Sequence, residues 1–156
     1  MIEVKKQHIR PSGDSVASVV RLLKEGCEVD FVPEENYMLP LIRGGKDIVT
    51  LRSPDRELSR GDIVLAEVGT KGYLLLRILD RNQNSFLLAG DAALDWMDIE
   101  ECTLNDIVGR VVFIQRGNWG FRPGRGEFWM WLFPVRDSIM KLYNWIFRKD
   151  LTERVK

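Results

Sequence analysis

The chain has 156 residues, 45% of them apolar and 29% charged, which is enough for one domain with a hydrophobic core. Its 23 basic residues balance its 23 acidic residues, and a general nucleic-acid-binding protein would instead show a basic excess. The single histidine and the distant cysteines Cys27 and Cys102 lack the spacing of a metal site. We therefore expect no metal and no cofactor, and we interpret both cysteines as buried free thiols.

The N-terminal residues are not followed by an apolar stretch, so they do not resemble a signal peptide. No window approaches the roughly 18 continuous apolar residues of a transmembrane helix. The sequence thus predicts a cytoplasmic protein without a membrane-spanning segment.

The first predicted element is a short helix within an N-terminal region, 1–27, that packs on the core. Ser12 or Asp14 can cap the helix, and Gly26 can end it. One apolar face is formed by Val16, Val19, Val20 and Leu23. The segment 28–33 that follows is predicted to be a strand.

Residues 28–117 are predicted to form a β domain, because short runs of β-favouring residues alternate there with turn signals. The predicted strands after the first are 48–51, 63–68, 73–79, 86–88 and 107–114. The intervening turns contain Gly, Asn, Asp or Pro. Short strands at this spacing are typical of a compact antiparallel sheet or a partial barrel.

The C-terminal region, 118–156, has a different composition. Residues 119–126 are rich in Gly, Arg and Pro and are interpreted as a linker, and residues 128–133 are densely aromatic. Pro134 can then open an amphipathic helix with an excess of basic residues. Its predicted apolar face is Val135, Ile139, Leu142, Tyr143 and Ile146. We expect this face to pack on the sheet within one structural domain, and the alternative is a helix that binds a membrane surface or a partner.

Four sequence blocks occur in a fixed order along the β domain. The first, residues 36–47, reads Asn-Tyr-Met-Leu-Pro-Leu-Ile-Arg-Gly-Gly-Lys-Asp. The others are Leu-Ser-Arg-Gly-Asp-Ile-Val at 58–64, Leu-Leu-Arg-Ile-Leu at 75–79, and Leu-Ala-Gly-Asp at 88–91 with Ile-Val-Gly-Arg-Val at 107–111. This order resembles the superfamily of signal peptidase I and LexA-like serine peptidases. The form of the first block is similar to peptidase-like proteins of that superfamily from Bacteroidetes.

The resemblance implies a mainly β fold of the signal-peptidase/LexA type: a partly open barrel or coiled antiparallel sheet, with a short N-terminal helix and a C-terminal amphipathic helix. Met38, Pro40 and the Gly-Lys-Asp ending match the first signature. The position of the serine nucleophile is, however, occupied by Tyr37. The position of the general base, directly before Arg77, is occupied by Leu76.

These two substitutions remove the chemistry that the superfamily requires. A serine hydroxyl needs a neighbouring base to become a nucleophile, and leucine has no lone pair with which to accept the proton. A phenol is a poor acyl-transfer nucleophile, and the oxygen of Tyr37 would extend beyond a carbonyl placed for serine. Loss of the nucleophile or base in a serine protease lowers turnover by about 10⁶.

The sequence therefore predicts a catalytically inactive peptidase homologue that binds a peptide or protein segment by strand addition. Candidate groove residues are Asn36, Tyr37, Met38, Pro40, Leu76 and Arg77. Residues expected to serve turns instead are Gly61, Asp62, Gly90 and Asp91.

Other readings stay open. In one alternative, Tyr37 and Leu76 only fill the cleft and binding is lost as well. In another, the chain is an active serine endopeptidase that processes a leader or secreted peptide with an unrecognised nucleophile. Further candidates for nucleophile or base, each interpreted as a non-catalytic residue, are His8, Lys46, Ser53, Ser59, Lys71, Ser85 and Cys102. Partners other than a peptide are a second copy of the chain and, through the C-terminal helix, a membrane surface.

Overall fold

The computed structural model describes residues 6–7, 16–54, 57–92 and 99–123, and the single residues Ser138 and Leu142. The described part is mainly β, with nine strands in one sheet and one short α-helix. The helix α1 is Val16–Lys24. The strands are β1 (Lys6–Gln7), β2 (Glu28–Phe31), β3 (Ile48–Arg52), β4 (Ile63–Val68), β5 (Gly72–Arg81), β6 (Phe86–Ala89), β7 (Glu100–Cys102), β8 (Ile107–Arg116) and β9 (Trp119–Phe121).

The strand order in the sheet is β1-β2-β3-β8-β4-β5-β6-β7, and β9 pairs with β8. Among the described strands, β1 and β2 pair in parallel and the other pairs are antiparallel. In the described part of the chain β1 and β7 are not paired with each other, so the sheet is open rather than closed. Register shifts interrupt the ladders β3–β8, β4–β8 and β5–β6, and such bulges bend a sheet.

Strand β4 is buried on both faces, because its side chains alternate between two apolar clusters. Ile63 and Leu65 belong to the first cluster, which also contains buried apolar residues of α1, β2 and β3. Val64 and Ala66 belong to the second cluster, together with residues of β5, β6 and β7. This central strand therefore divides the core into two halves, which are called the first and second cluster below.

The predicted helix is confirmed over Val16–Lys24, and Val19 and Leu23 of its apolar face are buried in the first cluster. Gly26 has a φ of 84°, a conformation that only glycine adopts readily, and it ends the helix as predicted. Cys27 and Cys102 are both buried free thiols, which confirms their interpretation.

The six strands predicted from periodicity are all present, with ends shifted by up to two residues. Three further strands were not predicted, namely β1, β7 and β9. Trp119–Phe121 lies where a linker was expected. Gly117, with a φ of 60°, allows the chain to turn back so that Phe121 pairs with Ile114.

Several predictions fall outside the described residues. They are the capping by Ser12 or Asp14, the aromatic stretch 128–133 and almost all of the C-terminal helix. Of that helix only Ser138 and Leu142 are described, and both are exposed. Among the described residues, no helix combines the length and apolarity that crossing a membrane requires.

Candidate functional site

Tyr37 lies in the loop between β2 and β3, at the start of the first sequence block. Its side chain is 45% exposed, whereas the next residue, Met38, is 2% exposed and packs in the first cluster. The N–H of Ile42 donates to the Met38 carbonyl at 2.9 Å, so the loop makes a helical turn. Met38 and Ile42 are buried by this turn while Tyr37 faces outward.

The segment before Tyr37 is fixed against the glycines of the same block. Asn36 Oδ1 accepts the N–H of Gly44 at 2.9 Å, and the Pro33 carbonyl accepts the N–H of Gly45 at 2.6 Å. A Cβ at Gly44 would lie 2.5 Å from the carbonyl oxygen of Glu35. No side chain fits in that space, so the Gly-Gly pair lets the two parts of the loop touch.

The main chain of Tyr37 also contacts the fourth block. Its carbonyl oxygen accepts the N–H of Ala92 at 3.0 Å. A Cβ at Gly90 would lie 2.3 Å from the same oxygen, so glycine is required there by close backbone approach. The first and fourth blocks, which are distant in sequence, are thus in contact at Tyr37.

The second and third blocks join the fourth through a buried ion pair. Arg77 and Asp91 are only 1% and 2% exposed. Arg77 donates from Nε and Nη2 to the two carboxylate oxygens of Asp91, at 2.7 and 2.8 Å, and from Nη1 to the Gly61 carbonyl at 2.8 Å. Such paired hydrogen bonds satisfy a charge that burial would otherwise destabilise.

A second buried carboxylate lies at the C-terminal end of the first block. Asp47 is fully buried and forms ion pairs with Arg43 and Arg116, at 2.8 and 2.9 Å. Arg116 Nη2 also donates to the Leu41 carbonyl at 2.8 Å, which ties the loop to β8. Burial alone raises the pKa of Asp47, but hydrogen bonds from Arg43 and Arg116 outweigh it and hold the pKa below its ordinary value of 3.8.

This pKa shift predicts a specific loss of stability in acid. A carboxyl whose folded pKa is lowered stabilises the fold above its ordinary pKa, and this contribution is lost as the pH falls below 3.8 through the folded pKa. Urea unfolding at a series of acidic pH values should show the stability of the Asp47→Asn variant falling less steeply than that of the parent. If the free energy of unfolding falls equally steeply with pH in both proteins, Asp47 does not contribute to the loss of stability in acid.

Beside Tyr37 lies an open groove of about 410 Å³, called the Tyr37 groove below. It runs between the chain that leaves β2 and the first half of β5. Its lining residues are Val16, Phe31, Val32, Pro33, Glu34, Glu35, Tyr37, Met38, Ile42, Leu65, Lys71, Tyr73, Leu74 and Leu75. The volume lies in the lower part of the range of about 300–1,000 Å³ that is usual for ligand pockets.

Leu76 is not among the groove-lining residues. It is 3% exposed and packs in the second cluster, opposite Val64 of β4. Leu75, its neighbour, packs in the first cluster and lines the groove. Of the six groove candidates from the sequence, only Tyr37 and Met38 line this groove.

The serines considered as alternative nucleophiles lie elsewhere. Ser53 donates its hydroxyl to the carbonyl of Leu23. The N–H of Ser59 donates to Asp62 at 2.9 Å in the turn before β4, and Ser85 lies just before β6. None of the three lines the Tyr37 groove.

The alternative bases and the cysteine are also accounted for. Lys46 is exposed, and Lys71 lines the groove but forms an ion pair with Glu100. Burial, with a smaller effect of nearby acidic residues, raises the pKa of Cys102 to about 11, which keeps its thiol protonated. His8 lies outside the described residues.

Most of the groove was missed by sequence reasoning. Phe31 and Val32 were assigned to a strand with no role, and Tyr73 and Leu75 were assigned to core strands. The alternation of Tyr73 and Leu75 along β5 is a usable signal, because residues two apart share one face of a strand.

A scan against protein-family models and searches of curated proteins and of solved structures found no match. The function of the chain is therefore inferred from the sequence blocks and from the chemistry of the groove.

Proposed function

We propose that the chain is a non-catalytic homologue of the signal-peptidase/LexA superfamily that binds an extended peptide in the Tyr37 groove. The observation that carries this proposal is the unpaired edge of β5 along the groove. Strand β4 pairs with β5 from Gly72 to Arg77, whereas β6 pairs only with the part from Arg77 to Arg81. Within the described residues, the side of Tyr73–Leu75 that faces away from β4 has no strand partner.

An unpaired strand edge can receive another strand. Backbone N–H and C=O groups of an added peptide hydrogen-bond to the edge, and its alternate side chains point into adjoining pockets. The Tyr37 groove is lined by Tyr73, Leu74 and Leu75 of this edge and supplies such a pocket, which Phe31 and Val32 also line. Tyr37 then forms a flat wall that contacts the peptide with its ring.

The convergence of the four blocks supports the superfamily. Gly61, Arg77 and Asp91 come from three different blocks and form one buried hydrogen-bonded unit, and Gly90 beside Asp91 contacts Tyr37 of the first block. The open, bent sheet with one short helix is compatible with the partly open barrel or coiled sheet of that superfamily. Motif residues that meet in space in this way argue against four chance matches.

The chemistry of the groove supports a binding role over catalysis. Its described lining residues include no serine, threonine, cysteine or histidine, and its one lysine, Lys71, forms an ion pair with Glu100. Leu76, in the position of the base, has an apolar side chain in the core. Binding by strand addition requires none of these catalytic groups.

The experiment is affinity selection from a random peptide library, followed by fluorescence anisotropy with the selected peptides. We expect Tyr37→Ala to weaken binding about tenfold or more, as truncation of an aromatic contact residue commonly does. Leu104→Ala is the matched control, because Leu104 is 59% exposed and lies outside the Tyr37 groove. Methylation of alternate peptide nitrogens should also weaken binding, since it removes hydrogen bonds to the strand edge.

Two results would contradict the proposal. Peptide binding is excluded if the selection enriches no peptide, or if Tyr37→Ala and Leu104→Ala bind the selected peptides equally well. The non-catalytic role is excluded if a fluorophosphonate probe labels any serine stoichiometrically.

A further inference from the structure

We infer that the Tyr37 groove prefers peptides that carry a large apolar side chain next to a lysine or arginine. This inference rests on the proposed peptide-binding function and specifies the class of peptide. It follows from the apolar floor of the groove and the acidic residues at its rim.

The floor of the groove consists of buried apolar side chains. Met38, Ile42, Leu65 and Leu75 line it and are all buried. These side chains leave no polar group on the floor with which a polar peptide side chain could pair, and burying a polar group without a partner is unfavourable. A large apolar side chain, in contrast, gains free energy in proportion to the area that it buries.

The rim carries acidic side chains that the described residues do not neutralise. Glu34 and Glu35 line the groove and are exposed. Glu67 is exposed and lies opposite Tyr73 across the β4–β5 ladder, and opposite residues share one face of a sheet. None of these three glutamates forms an ion pair with another residue of the described part.

The basic residue of the groove does not compensate for this charge. Lys71 forms an ion pair with Glu100, so the pair contributes no net charge. The described residues of the rim therefore carry a net negative charge, which favours a cationic side chain and disfavours an acidic one. A lysine or arginine beside the apolar anchor would reach the rim while the anchor fills the groove.

The expected size of the charge effect is moderate, because all three glutamates are exposed. Exposed ion pairs contribute little each and are screened by salt. The apolar anchor should thus determine whether a peptide binds, and the cationic residue should determine which of several apolar peptides binds best.

The test uses three labelled peptides that share one sequence with alternate leucine residues and differ at one neighbouring position, which is lysine, glutamine or glutamate. We expect fluorescence anisotropy at low ionic strength to rank affinity as lysine, then glutamine, then glutamate. The preference for lysine over glutamine should be about two- to tenfold, the range for one or two exposed ion pairs. It should shrink at high ionic strength. Replacing the leucines with alanine should weaken binding more than tenfold.

Matched variants of the protein test whether Glu34 and Glu35 cause the preference for the lysine peptide. Glu34→Gln combined with Glu35→Gln should reduce the preference for lysine without weakening binding of the glutamine peptide. The control is Glu25→Gln combined with Glu101→Gln, which removes the same charge at exposed positions outside the groove and should leave the preference unchanged.

The outcomes separate this inference from the proposed function. If all three peptides bind equally and Tyr37→Ala abolishes their binding, the groove binds peptides and the charge preference is wrong. If no peptide binds and library selection also fails, the proposed function is wrong. If sedimentation shows a dimer that Tyr37→Ala dissociates, the occupant is a second copy of the chain and the inference is overturned.

Discussion

Replacement of Asp91 with alanine is expected to lower the free energy of unfolding by about 3–5 kcal/mol. The change removes both carboxylate oxygens that accept hydrogen bonds from Arg77. Because the Arg77 side chain is only 1% exposed, water cannot replace these acceptors. A buried guanidinium without its partner is among the most destabilising changes available in this core. Chemical denaturation of the Asp91→Ala variant measures the effect directly.

A double variant distinguishes the loss of a partner from the loss of packing. Replacing a buried ion pair by apolar residues of similar volume is often neutral or stabilising. Arg77→Met combined with Asp91→Leu should therefore be more stable than Asp91→Ala alone. A loss below about 1 kcal/mol in Asp91→Ala would mean that Arg77 finds another acceptor or reaches solvent.

Replacement of Leu76 with lysine is expected to lower the free energy of unfolding by up to about 4–5 kcal/mol at neutral pH, because a lysine whose pKa falls below 7 is already neutral there. Burial lowers the pKa of a lysine by up to about 3–5 units, and each unit corresponds to about 1.36 kcal/mol. Leu76 packs in the second cluster with Val64 and Ile78, and no described member of this cluster is acidic and able to pair with an ammonium group. Thermal and urea unfolding of Leu76→Lys give the measured loss.

Leu76→Met is the matched control, and a volume-conserving change of this kind commonly costs less than about 1.5 kcal/mol. The combination of Tyr37→Ser with Leu76→Lys then tests whether the motif register restores catalysis. Because Leu76 does not line the groove, we expect no cleavage of the selected peptides. Cleavage by the double variant, or a Leu76→Lys protein as stable as the parent, would show that the side chain at position 76 extends into the Tyr37 groove.

The sequence predicted those strands that are long enough to show an apolar pattern and that have turn residues at their ends. Strand β4 is the best case, since Gly61 and Asp62 precede it and its apolar run ends at Gly69. Strands β1, β7 and β9 were missed because they contain two or three residues and have too few side chains to show a period. The composition of residues 119–126 indicated a linker, but Phe121 pairs with Ile114 and so the start of this segment forms a strand.

The candidate site was predictable only where local sequence determines it. The exposure of Tyr37 beside a buried Met38 follows from the turn of the first block. The groove itself depends on which face of β5 adjoins that turn, and the pairing of Leu75 with Leu65 and of Leu76 with Val64 fixes this face. A motif aligns positions along the chain, whereas the face on which a residue lies is set by pairing between distant strands.

The way in which the Tyr37 main chain is fixed has a practical consequence. Its carbonyl is bonded to Ala92 and packed on Gly90, and the preceding residue, Asn36, is bonded to Gly44. These contacts use backbone atoms and a neighbouring side chain, so the tyrosine ring is not needed to hold the loop. Position 37 is therefore suited to carry an environment-sensitive dye on an introduced cysteine, which would report on the surroundings of the loop without loosening it.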